Sequence, residues 1–295
     1  MIAEAVVSLR SVFRFREFFL KEVSMPPASK KSWPTVALLA PVKGIDPGLD
    51  DNIRSWFAQE YSGEFKVFFV VESAEDPAVK ILNEFPQATL LIASKASNCG
   101  QKVHNLQYAI EKIPASYEVF LFVDSDCLLM PDWMTNLVQK ILDEPQNAAT
   151  GYRWFTCQKD FGSLLRAVWN SSILTLNRED GKKNFAWGGS MAITRSAFES
   201  CQVMKEWKGS ISDDYSLTIA MQKNGRCVRF VPGAIARTTD CENSGSFLRW
   251  AFRQLLITRI YYPQLWLSAL LFHLAWFFWI LIGTFYFSFF LPAFF

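Results

Sequence analysis

Histidine is nearly missing from this chain of 295 residues, where only His104 and His273 occur. A Ser-His-Asp triad or a His-rich metal centre has almost nothing to be built from, so acid–base work falls to carboxylates. The six cysteines, Cys99, Cys127, Cys157, Cys201, Cys227 and Cys241, form no C-x-x-C pair. That excludes a zinc ribbon or knuckle and reads as free thiols in a reducing compartment. Neither sign of charge dominates, with 30 Lys+Arg against 28 Asp+Glu, which excludes wholesale nucleic-acid binding. No internal repeat or low-complexity tract is present, and the N-terminus lacks the apolar stretch of a signal peptide. The last absence is of charge altogether: from Leu265 to Phe295 there is no Asp, Glu, Lys or Arg. A run of that length is enough for a transmembrane helix, with Pro292 near its end. Arg249, Arg253 and Arg259 precede it, which by the positive-inside tendency keeps the remainder cytoplasmic.

What is present falls into four parts: 1–33, 34–246, 247–264 and 265–295. In the first, Arg10, Arg14, Arg16, Glu17 and Lys21 interrupt Val6-Val7, Phe13, Phe15 and Phe18-Phe19-Leu20 too often for a span. The mixture suits an interfacial helix on anionic lipid, or equally an amphipathic helix packed on the domain. Pro26-Pro27 and Pro34 mark the linker. Apolar runs at 36–40, 65–71, 88–93 and 119–123 read as strands, with helices at 50–61, 77–85 and 102–113 between them. Such alternation predicts βαβ units and a mainly parallel sheet. Phe247 to Tyr262, in the third part, reads as an amphipathic helix on the bilayer surface.

Asp124-Ser125-Asp126 follows the wholly apolar 119–123 run, so both carboxylates emerge at a strand's C-terminal end. Open α/β sheets place ligands at that edge. Two carboxylates spaced i, i+2 can share one hard divalent cation, though a polar turn closing a strand explains them too. Asp213-Asp214 opens a predicted helix, where Ser212 or Asp213 would serve as an N-cap. Two adjacent carboxylates exceed capping needs, and their repulsion would raise one pKa toward that of a general base. Trp187-Gly188-Gly189-Ser190 precedes a further apolar strand at 191–194, a pattern that permits close backbone approach by a ligand or simply makes a turn. Arg249 and Arg253 lie one helical turn apart, suited to phosphate oxygens or to flanking the span.

These blocks, in this order, resemble the GT-A-fold, family-2-like glycosyltransferases, and in particular the ceramide glucosyltransferase group. Pro41-Val-Lys43-Gly44 with Asp46, Asn52 and Tyr61 is similar to the group's opening block. Glu72-Ser73-Ala-Glu-Asp76 resembles its first nucleotide-binding segment, with Ser73 at the aspartate's place. Gln101-Lys102-Val-His-Asn105-Leu106, Asp124-Ser-Asp126, Gly188-Gly-Ser190 and Asp213-Asp214-Tyr215 follow. The closing arginine–tryptophan motif is altered to Trp250-Ala-Phe-Arg253-Gln254.

The resemblance implies an α/β GT-A fold with a C-terminal transmembrane helix, and inverting transfer of a hexose, glucose first, from a UDP-sugar to the hydroxyl of a membrane lipid. It implies Asp214, with Asp213 beside it, as the base, and Mg²⁺ or Mn²⁺ at Asp124 and Asp126. Lys43, Glu72, Asp76, Lys102, Asp124 and Arg253 would bind the nucleotide sugar, and Trp187, Gly188, Gly189 and Ser190 would line the acceptor side. The expected partners are the donor, the lipid acceptor and the bilayer, with no nucleic acid. Alternatives are a non-catalytic sugar-nucleotide sensor, a polysaccharide synthase, for which one span is too few, and a nucleotidyltransferase, which gives no reason for a membrane tail.

Overall fold

A computed structural model describes residues 2–24, 32–157, 160–240 and 243–290. The chain opens with helix α1 (Ile2–Val23), then alternates β1 (Val36–Pro41), α2 (Leu49–Phe57), β2 (Phe65–Val71), α3 (Val79–Leu82), β3 (Thr89–Ile92), α4 (Gln101–Lys112) and β4 (Val119–Val123). The four runs read as strands are strands. Helices α2 and α3 are shorter than read, because turns at Ala58 and Asn83 end them early, whereas α4, with 12 residues, is as long as read.

Beyond β4 come α5 (Trp133–Asp143), β5 (Ala148–Cys157), α6 (Phe161–Leu174), β6 (Ser190–Thr194), α7 (Arg195–Ser200), α8 (Val203–Trp207), α9 (Asp213–Lys223) and β7 (Val228–Asp240). The strands form one sheet in the order β3-β2-β1-β4-β6-β5-β7. β1 pairs in parallel with β2 and β4, β2 with β3, and β5 with β7, whereas β6 runs antiparallel to β4 and β5. The sheet is therefore parallel except for β6. Strand β4 is buried along its whole length. Side chains alternating across β1, β2 and β4 feed two cores: Leu38, Phe69 and Leu121 on one face, Leu39, Val70 and Phe122 on the other.

Helix α1 belongs to the same compact unit, Met1–Ser244. It buries Phe18 against Phe230 and pairs Glu22 with Lys140 and Lys21 with Glu179. Its other side, including Leu9, Val12 and Phe13, is exposed.

The second unit, Gly245–Phe295, contains nearly all of α10 (Ser244–Tyr261) and α11 (Pro263–Phe290). The 23 residues Pro263–Phe285 are long and apolar enough to cross a membrane. At 1.5 Å per residue they extend about 35 Å, against about 30 Å of bilayer hydrocarbon. Pro292 lies outside the described residues.

Candidate active site

The parallel strands β1, β2 and β4 end at one edge of the sheet. β4 delivers Asp124 and Asp126 there, β1 delivers Lys43 and Gly44, β2 delivers Glu72, and the first turn of α4 delivers Lys102. From β5 comes Arg153, and from the start of α9 come Asp213 and Asp214.

The charges interlock. Lys102 Nζ lies 2.7 Å from Asp124 Oδ1 and 3.0 Å from Asp213 Oδ2. Arg153 donates to Asp124 Oδ2 at 2.8 Å and to both oxygens of Asp126 at 3.0 and 3.1 Å. The same guanidinium lies 4.8 Å from the centre of the Trp187 ring. Each oxygen of Asp124 and Asp126 therefore faces a cationic side chain.

Burial works to raise the Asp124 pKa, yet Lys102 and Arg153 outweigh it and hold the group below the ordinary carboxylate range. Asp126 goes the other way: burial, with help from Asp124 and Asp46, exceeds the pull of Arg153 and raises it. Lys102 loses solvation too, but Asp124 and Asp213 hold its proton more tightly than in free lysine.

The two neighbouring aspartates have different surroundings. Asp213 is 4% exposed, and burial, reinforced by Asp214 and Asp124 against the pull of Lys102, lifts its pKa to about 6. Its Oδ2 sits beside the Lys102 ammonium without an aligned hydrogen bond. Asp214 is half-buried; it accepts from the Gly188 N–H at 3.3 Å, from the Tyr215 N–H at 2.7 Å and from the Ser212 hydroxyl. Ser212 occupies the N-cap position, but no side-chain cap bond forms there. The expectation that one aspartate's pKa rises holds for Asp213, and burial contributes more than repulsion.

The glycines are explained by crowding. A Cβ at Gly188 would lie 2.6 Å from Lys102 Nζ and 2.7 Å from Asp213 Oδ2, and one at Gly189 would lie 2.3 Å from the Trp187 ring. The acceptor-side reading of Ser190 needs correction. Ser190 is fully buried, accepts from Trp133 Nε1 at 2.8 Å and donates to the Ala234 carbonyl at 2.9 Å. Its hydroxyl is spent on joining α5, β6 and β7.

At the nucleotide-side blocks, Lys43 is exposed and 3.5 Å from Glu72. Asp76 receives the Gly44 N–H at 3.0 and 3.1 Å and the Ala78 N–H at 2.9 Å, so it shapes the turn where Gly44 adopts φ +68°. Arg253 lies on α10, in the second unit.

Sequence reading missed Arg153. It lies in a strand too polar, at Thr150, Tyr152 and Thr156, to be recognised from apolar runs. The available signal was one arginine between Tyr152 and Trp154. It also missed the register shift at Gly151, where a Cβ would come within 1.7 Å of the Ala234 oxygen.

Hard oxygen donors two residues apart fit an oxygen-seeking divalent ion. The pair already holds a positive group, the Arg153 guanidinium, which stands in for such an ion. Among the described residues no group of three or more His, Cys, Asp and Glu could hold a metal. Two carboxylates with phosphate and water oxygens are nonetheless the usual supply for Mg²⁺.

Against known proteins, the family model described as Glycosyl transferase family 21 matches residues 3–294. An N-acetylglucosaminyltransferase of Mesorhizobium japonicum is 29% identical over 245 residues, covering 77% of this chain and 56% of that protein. Ceramide glucosyltransferase 1 of Caenorhabditis elegans is 23% identical over 225 residues, covering 72% of this chain and 46% of that protein. The chain thus spans about half the length of the curated relatives it matches. The mannosyltransferase PcManGT of Pyrobaculum calidifontis, in complex with GDP-Man and Mn²⁺, superposes with a TM-score of 0.55 at 15% identity, covering 86% of this chain and 71% of that one. GalNAc-T7 with UDP, GalNAc and Mn²⁺ gives 0.53 at 12% identity, covering 73% and 45%. These likenesses show a GT-A-like fold.

Proposed function

The chain belongs to glycosyl transferase family 21, and on that premise we propose that it is a membrane-anchored inverting hexosyltransferase, moving a hexose from a UDP-sugar to a lipid hydroxyl. The observation that carries the reading is the separation of roles within one acidic pair. Asp213 is sealed and held beside Lys102, while Asp214 is half-buried and accepts from the Gly188 N–H.

In this reading Asp214 takes the proton of the acceptor hydroxyl as that oxygen attacks the anomeric carbon. The new carbon–oxygen bond forms on the face opposite the departing UDP, whose bond to the sugar breaks and carries the electron pair away. Trp187 and the crowded Gly188-Gly189 backbone give the sugar a flat wall and close contact. Lys43, Lys102 and Arg253 are the cations proposed for the diphosphate, with Glu72 and Asp76 on the nucleotide side.

Asp124 and Asp126 would hold Mg²⁺ or Mn²⁺, and the ion would supply charge neutralisation for the diphosphate. The α11 helix keeps the domain at the membrane where its acceptor resides; a cytoplasmic orientation follows from Arg249, Arg253 and Arg259.

Glucose is the donor hexose by resemblance to the ceramide glucosyltransferases. The rhizobial relative, named an N-acetylglucosaminyltransferase, favours a second reading with an N-acetylglucosamine donor. Membranes containing the chain, incubated with labelled UDP-glucose and UDP-N-acetylglucosamine and extracted for lipid, distinguish the two. Asp214→Asn is expected to lower transfer by about 10²–10⁴ while UDP binding persists. Retention of turnover in that variant overturns the assignment of the base.

A further inference from the structure

Helix α6 is amphipathic in the wrong sense for a helix packed on a domain. Its inner face carries Gly162, Ser163, Arg166, Asn170 and Leu174, whereas Phe161, Leu164 and Val168 point outward at 65%, 51% and 62% exposure. Leu165 flanks that outer stripe, and Leu176 extends it past the helix end at 61% exposure. The only charge in the helix, Arg166, is turned inward with its guanidinium 5.4 Å from the centre of the Phe155 ring. The outer face therefore offers apolar side chains without a charged one, where water would normally select polar residues.

The chain leaving α6 runs alongside α1. Arg10, Arg14, Phe15, Phe18 and Lys21 of α1 face Thr175, Asn177 and Arg178 across a cleft of about 850 Å³. Glu17, Glu179 and Asp180 line it as well, but Lys21 neutralises Glu179 at 2.6 Å. On its exposed side α1 shows Leu9, Val12 and Phe13 with Arg16 among them, and Arg10 and Arg14 at the edge shared with the cleft.

We propose that the outer face of α6 and the exposed Leu9–Arg16 side of α1 lie on a bilayer with anionic headgroups, a contact additional to the α11 helix. The chemistry selects this occupant. An uncharged stripe suits the acyl boundary, and arginines interleaved with apolar residues suit headgroup phosphates just above it. A second copy of the chain would bring the same arginines into a two-fold contact, placing like charges face to face. A bilayer is also within reach, because the same chain carries a helix able to cross one.

The contact lies close to the carboxylate pair, although it stands without the proposed reaction. On the inner face of α6 the Asn170 side-chain amide donates to the Arg153 carbonyl at 2.7 Å, and the Asn170 backbone carbonyl accepts from the Tyr152 hydroxyl at 2.5 Å. Phe155 has Arg166 on one approach and Arg153 on another, each 5.4 Å from the ring centre. The surface assigned to the bilayer is thus one helix away from β5, whose Arg153 pairs with Asp124 and Asp126.

The test is hydroxyl-radical footprinting of the full wild-type chain in nanodiscs containing phosphatidylglycerol, one copy per disc, read by mass spectrometry. Ile92, 45% exposed on β3 at the opposite edge of the sheet, is the reference. After correction for side-chain reactivity, oxidation of Phe161, Leu164 and Val168 is expected to be at least about threefold lower than exposure in the free protein dictates. A smaller reduction overturns the proposal, as does protection that arises only with two copies per disc. Replacing phosphatidylglycerol by phosphatidylcholine should raise oxidation at Leu9 and Phe13 by about twofold or more. No change there sinks the headgroup half of the proposal. None of these readings depends on turnover, so failure of the assigned reaction leaves them intact.

Discussion

Helices α5 and α6 both lie against β5, and both carry apolar residues at helical spacing. They dispose of those residues in opposite ways. α5 buries Trp133, Met134, Leu137, Val138 and Ile141, while α6 turns Phe161, Leu164 and Val168 outward. Periodicity identifies a face; what covers that face is decided by the residues opposite it. In α6 those are Ser163, Arg166 and Asn170, each of which has a partner in the domain. Polar groups with partners are cheap to bury, and the apolar side is left for a different solvent.

The strand both helices touch should be the most sensitive point. Gly151→Ala forces a methyl into the Ala234 carbonyl, and a loss above about 4 kcal/mol, or failure to fold, is expected in thermal unfolding. The comparison itself is sharpened by a matched pair in one detergent. Leu137→Ala should cost about 2–5 kcal/mol, as for deletion in a packed core, and Leu164→Ala no more than about 0.5 kcal/mol. Equal costs in chemical denaturation would break the contrast between the helices.

Asn170→Ala loses the side-chain bond to the Arg153 carbonyl but keeps the Tyr152 bond to its backbone carbonyl, and should cost about 1 kcal/mol, while hydrogen exchange in α5 is unchanged. The smallest expected effect is a pH slope. Asp213 has a folded pKa of about 6, raised by burial above the unfolded value near 3.8. Its contribution is fully present below the unfolded value and is lost as pH rises through about 6, so stability falls across that window. Asp213→Asn should flatten the slope, and the outer face of α6, with no titratable group, should add none.

Legibility in the sequence divides along the same sheet. Strands β1 to β4 were readable because each is mostly apolar, interrupted only by Lys66 in β2 and Thr89 in β3, and Asp124 and Asp126 were readable because they follow the wholly buried β4. β5 and α6 were not, since polar residues interrupt both, and some, such as Asn170 with Arg153, find partners well away in sequence. Arg153 answers Asp124 from 29 positions off and Asp126 from 27. Ser190 misled for a related reason: after paired glycines it looks presented, yet its partner Trp133 lies 57 residues earlier. Asp213 and Asp214 were legible as a pair, but their division into a sealed and a presented carboxylate depends on Lys102 and Gly188.

Arg153 gives the carboxylate pair a counterion that cannot diffuse away. Its effective concentration is set by the strand that carries it, so dilution does not remove it. At 16% exposure it is also shielded from much of the mobile salt that would weaken a surface pair. Any dissolved cation seeking those oxygens competes with a tethered one, and its apparent affinity is reduced by the work of parting the guanidinium from both aspartates.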